Sequence, residues 1–217
     1  LLPSAMPEGK GVWATALLLE TGTAGLFVSF VLRSGAVALF AVVTAAAVAL
    51  FFRQVLWMRR HPRPAPRALR RPDYGVLHSF AALGYLALAL LLGLCLAMAP
   101  PGEWKLRAAL VYGVFGLVGF LSQMVVGVSL RLLPLYTWLR ASEQTGFPAQ
   151  PPSPHDLPAR PVQAAGLALW TAGVPLLAVG FALDRPVLVA AGAAALFLAV
   201  VLGAIGNLLL VRRAGQS

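Results

Sequence analysis

His78 is the only histidine inside a long apolar stretch of this chain, in Tyr74-Gly75-Val76-Leu77-His78-Ser79-Phe80-Ala81-Ala82-Leu83-Gly84-Tyr85. An imidazole nitrogen ligates haem iron or another metal, and a residue as small as Gly84 lets a flat macrocycle or a neighbouring helix come close. The competing reading is an interfacial histidine bonded to a neighbouring carbonyl, because His78 lies only one turn from a basic loop. Further along, Gly116, Gly119, Gln123, Gly127 and Arg131 recur at spacings of three or four and so share one helix face. That stripe either packs closely against another helix or forms one wall of a pocket facing His78, with Gln123 and Ser122 offering hydrogen bonds in a dry setting.

The other polar residues carry weaker signals. Glu20 and Thr21 fall near the middle of an apolar stretch, where an unpaired carboxylate costs several kcal/mol. A neutral, hydrogen-bonded Glu20 is expected, with proton relay or cation coordination as the alternative. Asn207, Arg53 and Gln54 read as structural, the last two snorkelling to the surface. His61 and His155-Asp156 sit in Pro-rich connectors and read as solvated. Cys95 is the only cysteine, so this chain holds no disulfide framework, thiolate metal site or iron–sulfur cluster of its own. No Walker loop, dinucleotide glycine pattern, zinc-protease helix or serine-hydrolase elbow is present.

These residues need helices in lipid to position them. With 59% hydrophobic residues, 11% charged residues and a mean hydropathy of +0.82, the chain carries more apolar surface than one aqueous core can hide. Six segments are long enough to span a bilayer: 11–33, 35–57, 74–99, 107–131, 162–183 and 186–211. Ala and Leu dominate and strand alternation is absent, which predicts an all-α polytopic transmembrane bundle, a single membrane domain, rather than an outer-membrane barrel. Trp13, Trp57, Trp104 and Trp138 fall at span ends as interfacial anchors, while Trp170 sits deeper without an evident role.

The net charge of +10 would suggest nucleic acid in a soluble protein, yet most basic residues lie between spans. Lys10, Arg53, Arg59, Arg60, Arg63, Arg67, Arg70, Arg71, Arg131, Arg140, Arg160, Arg212 and Arg213 fall on one side. Arg33, Lys105, Arg107 and Arg185 fall on the other. The positive-inside rule therefore predicts cytoplasmic ends in a bacterial inner membrane, with lipid rather than nucleic acid as partner.

Two Pro-rich connectors, Arg59 to Pro72 and Phe147 to Pro161, separate helix pairs. Tight links near Arg33, Pro100 to Lys105 and Asp184 to Pro186 predict antiparallel hairpins. There is also an internal echo: Phe30 through Arg60 parallels Phe181 through Arg213, and Leu1-Leu2-Pro3 matches Leu132-Leu133-Pro134. The expected repeat is four helices, with the chain, which lacks an initiator Met, holding the second half of one repeat and all of the next.

His78 with Gly84-Tyr85, then Tyr112-Gly113-Val114-Phe115-Gly116-Leu117-Val118-Gly119-Phe120 running to Gly127 and Arg131-Leu132-Leu133-Pro134, resembles the repeated unit of bacterial membrane proteins related to NnrS. Those proteins are similar to a degenerate subunit I of haem-copper oxidases. The likeness covers about 60 residues closely and the rest by helix layout. It implies a bundle of four-helix arcs, and b-type haem at His78, serving electron transfer or a respiratory or nitric oxide stress response. The candidate cofactor-binding residues are His78, Gly84, Tyr85, Gly116 and Gln123, with His78 the one metal ligand. A second ligand would come from another subunit, a second copy or a preceding region. The copper-site histidines and cross-linked tyrosine of a true oxidase have no matching positions, so no complete oxidase site is expected. The reading from another class is a subunit or small-solute transporter without haem, with a midplane site including Glu20 and Gln123.

Overall fold

The computed structural model describes residues 6–62, 72–100, 102–145 and 159–214. Arg63, Arg67, Arg70, Arg71 and His155-Asp156 lie outside them. The protein is all-α, with α1 (Lys10–Val31), α2 (Val37–Arg60), α3 (Tyr74–Met98), α4 (Trp104–Gly113), a π-helix (Val114–Ser122), α5 (Gln123–Thr145), α6 (Arg160–Ala182) and α7 (Pro186–Ala214). No strand occurs among the described residues. Six helical rods are long and apolar enough to cross a membrane: Lys10–Val31, Val37–Arg60, Tyr74–Met98, Trp104–Arg140, Arg160–Ala182 and Pro186–Arg212.

Five of these match the expected spans to within a few residues; the fourth does not stop where expected. Instead of ending at Arg131-Leu132-Leu133-Pro134, the helix runs through Pro134 to Thr145. An internal proline forfeits one backbone bond, that to the carbonyl four residues earlier, here Leu130. The Thr137 hydroxyl donates to the Leu133 and Pro134 carbonyls at 3.0 Å each, one turn further on.

Burial is inverted relative to a water-soluble protein. The largest fully buried side chains are His78, Gln123 and Val174, two of them polar, while Phe27, Leu106, Val187 and Phe197 are each more than 70% exposed. Apolar side chains turned outward in such numbers require a lipid solvent. The chain is a multi-pass membrane protein.

It divides into two compact units, Leu1–Arg67 with Leu90–Lys105, and Ala68–Ala89 with Leu106–Ser217. In the first, α1 and α2 form a hairpin. A Cβ on Gly22 would lie 2.5 Å from the Thr44 hydroxyl, so the helices meet where a side chain is missing. Near the open end Gln54 donates through Nε2 to the Thr15 hydroxyl at 2.8 Å and to the Gly11 carbonyl at 3.0 Å. Gln54 was expected to snorkel. It is drawn instead to two acceptors on the facing helix, while Arg53 beside it stays exposed.

In the second unit α6 and α7 form the corresponding hairpin, closed by Gly173 against Leu196 and Gly180 against Val189. Val114, Trp170, Val174, Ala178 and Ala199 make its buried core, which accounts for Trp170. Arg107 and Asp184 pair at 3.1 Å at one end of this unit. At the other end Arg131 Nε donates to Asp73 at 3.1 Å, and Arg160 donates to the Pro72 carbonyl at 3.2 Å. The helices between these two polar layers alternate in direction.

Both hairpins turn in the same way. Arg33 and Ser34 donate their amides to the Phe30 and Ser29 carbonyls, as Arg185 and Asp184 do to Gly180 and Phe181. Each is a Schellman closure whose left-handed position, at φ 51° and φ 54°, holds Arg33 or Asp184 where glycine is usual.

Candidate functional site

The second unit brings His78 and Gln123 together. The stripe on the α4–π–α5 rod runs down the face of α3: Gly119 meets the Tyr85 ring, Gln123 meets His78, Gly127 meets Gly75 and Ser79, and Arg131 meets Asp73. A Cβ on Gly127 would sit 2.8 Å from the Gly75 carbonyl oxygen and 2.8 Å from the Ser79 hydroxyl. The stripe is thus a close helix contact, and the contact walls in the His78–Gln123 pair. Gly116 and Gly84 take no part in it, since a Cβ on either would meet nothing within 4 Å. Gly116 lies inside the π-helix, whose i→i+5 bonding breaks the three-residue alignment expected of an α-helix. Tyr85 stacks on Phe115 with centroids 5.8 Å apart and so fixes the π-helix against α3.

The π-helix is the one site feature the sequence did not announce. Val114-Phe115-Gly116-Leu117-Val118-Gly119-Phe120-Leu121-Ser122 reads as an ordinary apolar helix. The Ser122 hydroxyl donates to the Leu117 carbonyl at 2.8 Å, five residues back. Stretches of this kind concentrate at functional sites, because they shift the phase of every residue that follows.

His78 is 1% exposed and stands on the wall of a cavity of about 300 Å³. Gln123, 0% exposed, is not on that wall but lies beside the imidazole at Nδ1. α5 contributes Val126, Leu130 and Pro134, α6 contributes Gln163, Gly166 and Trp170, and α7 contributes Ala199, Gly203 and Asn207. A Cβ on Gly166 or Gly203 would meet nothing within 4 Å, so both glycines border open space. The size falls at the small end of ligand pockets, roughly 300 to 1,000 Å³. Mostly apolar walls with a few amides and one imidazole suit a largely apolar guest.

Gln123 Nε2 and His78 Nδ1 lie 3.4 Å apart, at the long end for a hydrogen bond. The other amide atom, Gln123 Oε1, is buried without a hydrogen-bond partner. Asp73 caps α3 by accepting from the Val76 amide at 3.1 Å. Partial burial alone would raise its pKa, but the Arg131 hydrogen bonds, the Val76 amide and the Arg131 charge outweigh it. The Asp73 carboxyl is held below the usual carboxylate range.

No protein-family model, no curated protein and no solved structure matches this chain. The geometry of the site therefore carries the functional reading.

The remaining candidates lie elsewhere. Glu20 and Thr21 are exposed on α1, in the first unit, and the Glu20 carboxyl makes no hydrogen bond among the described residues, contrary to the bonded state expected of it. A carboxyl turned outward from a hairpin finds no donor on its own helix. His61 stays at the helix end: its Nδ1 lies 2.9 Å from the Trp57 carbonyl, to which an N–H there donates, and its ring stacks on Trp57. Cys95 is exposed on α3. No cluster of three His, Cys, Asp or Glu able to hold a metal occurs among the described residues. His78 can supply one nitrogen to a metal or haem, and a second ligand would have to come from outside the described residues.

Proposed function

We propose that this protein is an NnrS-like inner-membrane haem protein of a bacterium, with His78 as the b-type haem ligand, serving electron transfer or a response linked to respiration or nitric oxide stress. The observation that carries the reading is a fully buried imidazole on the wall of an apolar intramembrane cavity, backed by an amide. An ionisable side chain inside a span is costly to keep and marks a functional position. Haem bound there would supply one-electron chemistry or a site for a diatomic gas. The protein's own part is to hold one imidazole in place, to exclude water through Trp170, Val126 and Ala199, and to leave Gly166 and Gly203 bare for close approach.

The test is the absorption spectrum of the detergent-solubilised protein, as purified and after haemin addition. A Soret band is expected that His78→Ala removes or shifts. A colourless protein that takes up no haemin, or a band indifferent to His78→Ala, overturns the reading.

A further inference from the structure

A buried glutamine oxygen without a donor, beside an imidazole, is an unfinished hydrogen-bond pattern. With Nε2 of Gln123 toward His78, the amide N–H meets the Nδ1 lone pair at 3.4 Å, and Oε1 is left buried and unpaired. A buried acceptor left without a donor is destabilising. Half a turn about the last side-chain bond exchanges two atoms of nearly equal size, so the packing does not change. The amide oxygen then faces Nδ1–H, and the NH2 group takes the place where the oxygen stood.

General helix chemistry favours that second arrangement. In a helical interior the backbone amides are consumed by the helices, whereas each backbone carbonyl keeps a spare lone pair. A buried NH2 therefore finds acceptors far more easily than a buried C=O finds donors. Among the described residues His78 is the ring N–H donor that Gln123 reaches.

We propose that Gln123 is a positioning residue for His78: its side-chain carbonyl accepts the Nδ1 proton and leaves Nε2 as the bare nitrogen presented to the cavity. A histidine that ligates a metal donates its other ring N–H to a fixed acceptor, which sets the tautomer and makes the ligating nitrogen more basic. The π-helix ending at Ser122 is the element that puts Gln123 in register for this, since α5 begins at Gln123 itself. The inference deepens the haem reading, but the tautomer is a property of the protein without haem and is tested separately.

The experiment is long-range ¹H–¹⁵N correlation NMR of haem-free protein labelled with ¹⁵N-histidine, with the His78 signals identified by their loss in His78→Asn. The wild type is expected to carry its proton on Nδ1. Gln123→Leu should move it toward Nε2, and Gln123→Glu should restore Nδ1–H. Haemin titration of the same proteins should show affinity falling about 10- to 100-fold in Gln123→Leu. A wild-type proton on Nε2, or a tautomer that ignores Gln123→Leu, overturns the inference even where a Soret band is present. An Nδ1–H tautomer that depends on Gln123 upholds it, and if haemin is nonetheless not bound, the haem assignment alone falls. Should Gln123→Leu fail to fold, Gln123→Met, close in size and without the amide, takes its place with the same expected outcomes.

Discussion

At the scale of single residues, glycines that look alike in sequence do different work. Gly127 and Gly75 let two backbones touch beside His78, whereas Gly84 and Gly116 border open space. Gly127→Ala should therefore destabilise the protein by roughly 1–3 kcal/mol through overpacking. Gly84→Ala should be neutral or gain up to about 1 kcal/mol of helix propensity. Unfolding in mixed detergent micelles separates the two, and equal costs at both positions would contradict the packing described. Asp73 gives a pH prediction. Its lowered pKa means that the pair with Arg131 is fully stabilising above the ordinary carboxylate value and is lost as pH falls through the lowered one. Both side chains keep some exposure, so solvent screening limits the pair to about 1 kcal/mol or less. The stability difference between wild type and Asp73→Asn should accordingly be constant at neutral pH and shrink in acid. A difference that grows on acidification would contradict the assignment. His78 and the stripe from Gly119 to Arg131 were legible in the sequence because an imidazole among Leu and Ala is conspicuous, and because spacing by four survives into α5. Which glycines touch was not legible, since that depends on what lies opposite each one.

At the scale of elements, the hairpins were readable from short polar links between apolar runs, and both close in a Schellman turn after Phe-x-Leu. The continuation of α5 past Pro134 and the π-helix were not. Pro134 costs the rod the bond to the Leu130 carbonyl without ending it, which a breaker rule applied to the sequence does not foresee. A π-helix has no compositional mark, because it differs from an α-helix in register and not in residue type. It does yield a sharp expectation. Deleting one residue from Val114–Ser122, such as Leu117, should let the rod tighten toward α-helix and turn Gln123, Gly127 and Arg131 together out of their present phase relative to the preceding α4. Such a deletion should abolish the Gln123 dependence of the His78 tautomer while leaving helix content by circular dichroism nearly unchanged. Retention of that dependence would mean that the π stretch does not set the register.

At the scale of the whole molecule, the membrane class follows from hydropathy alone, and the outward-facing Phe, Leu and Val side chains agree with it. The proposed orientation is open to direct measurement. With Cys95 replaced by Ser, a membrane-impermeant maleimide should label Ser34→Cys on intact spheroplasts and His61→Cys only after permeabilisation. The reverse pattern would invert the arginine-based topology. The reversed burial pattern, with His78 and Gln123 among its most enclosed side chains, also bears on how the protein responds to heat. Unfolding a soluble domain brings oily groups into water and raises the heat capacity. Here those groups meet acyl chains before and after the helices separate. Separation within a bilayer should thus show almost no heat-capacity increment, and the protein should lack the cold-weakened stability that accompanies one.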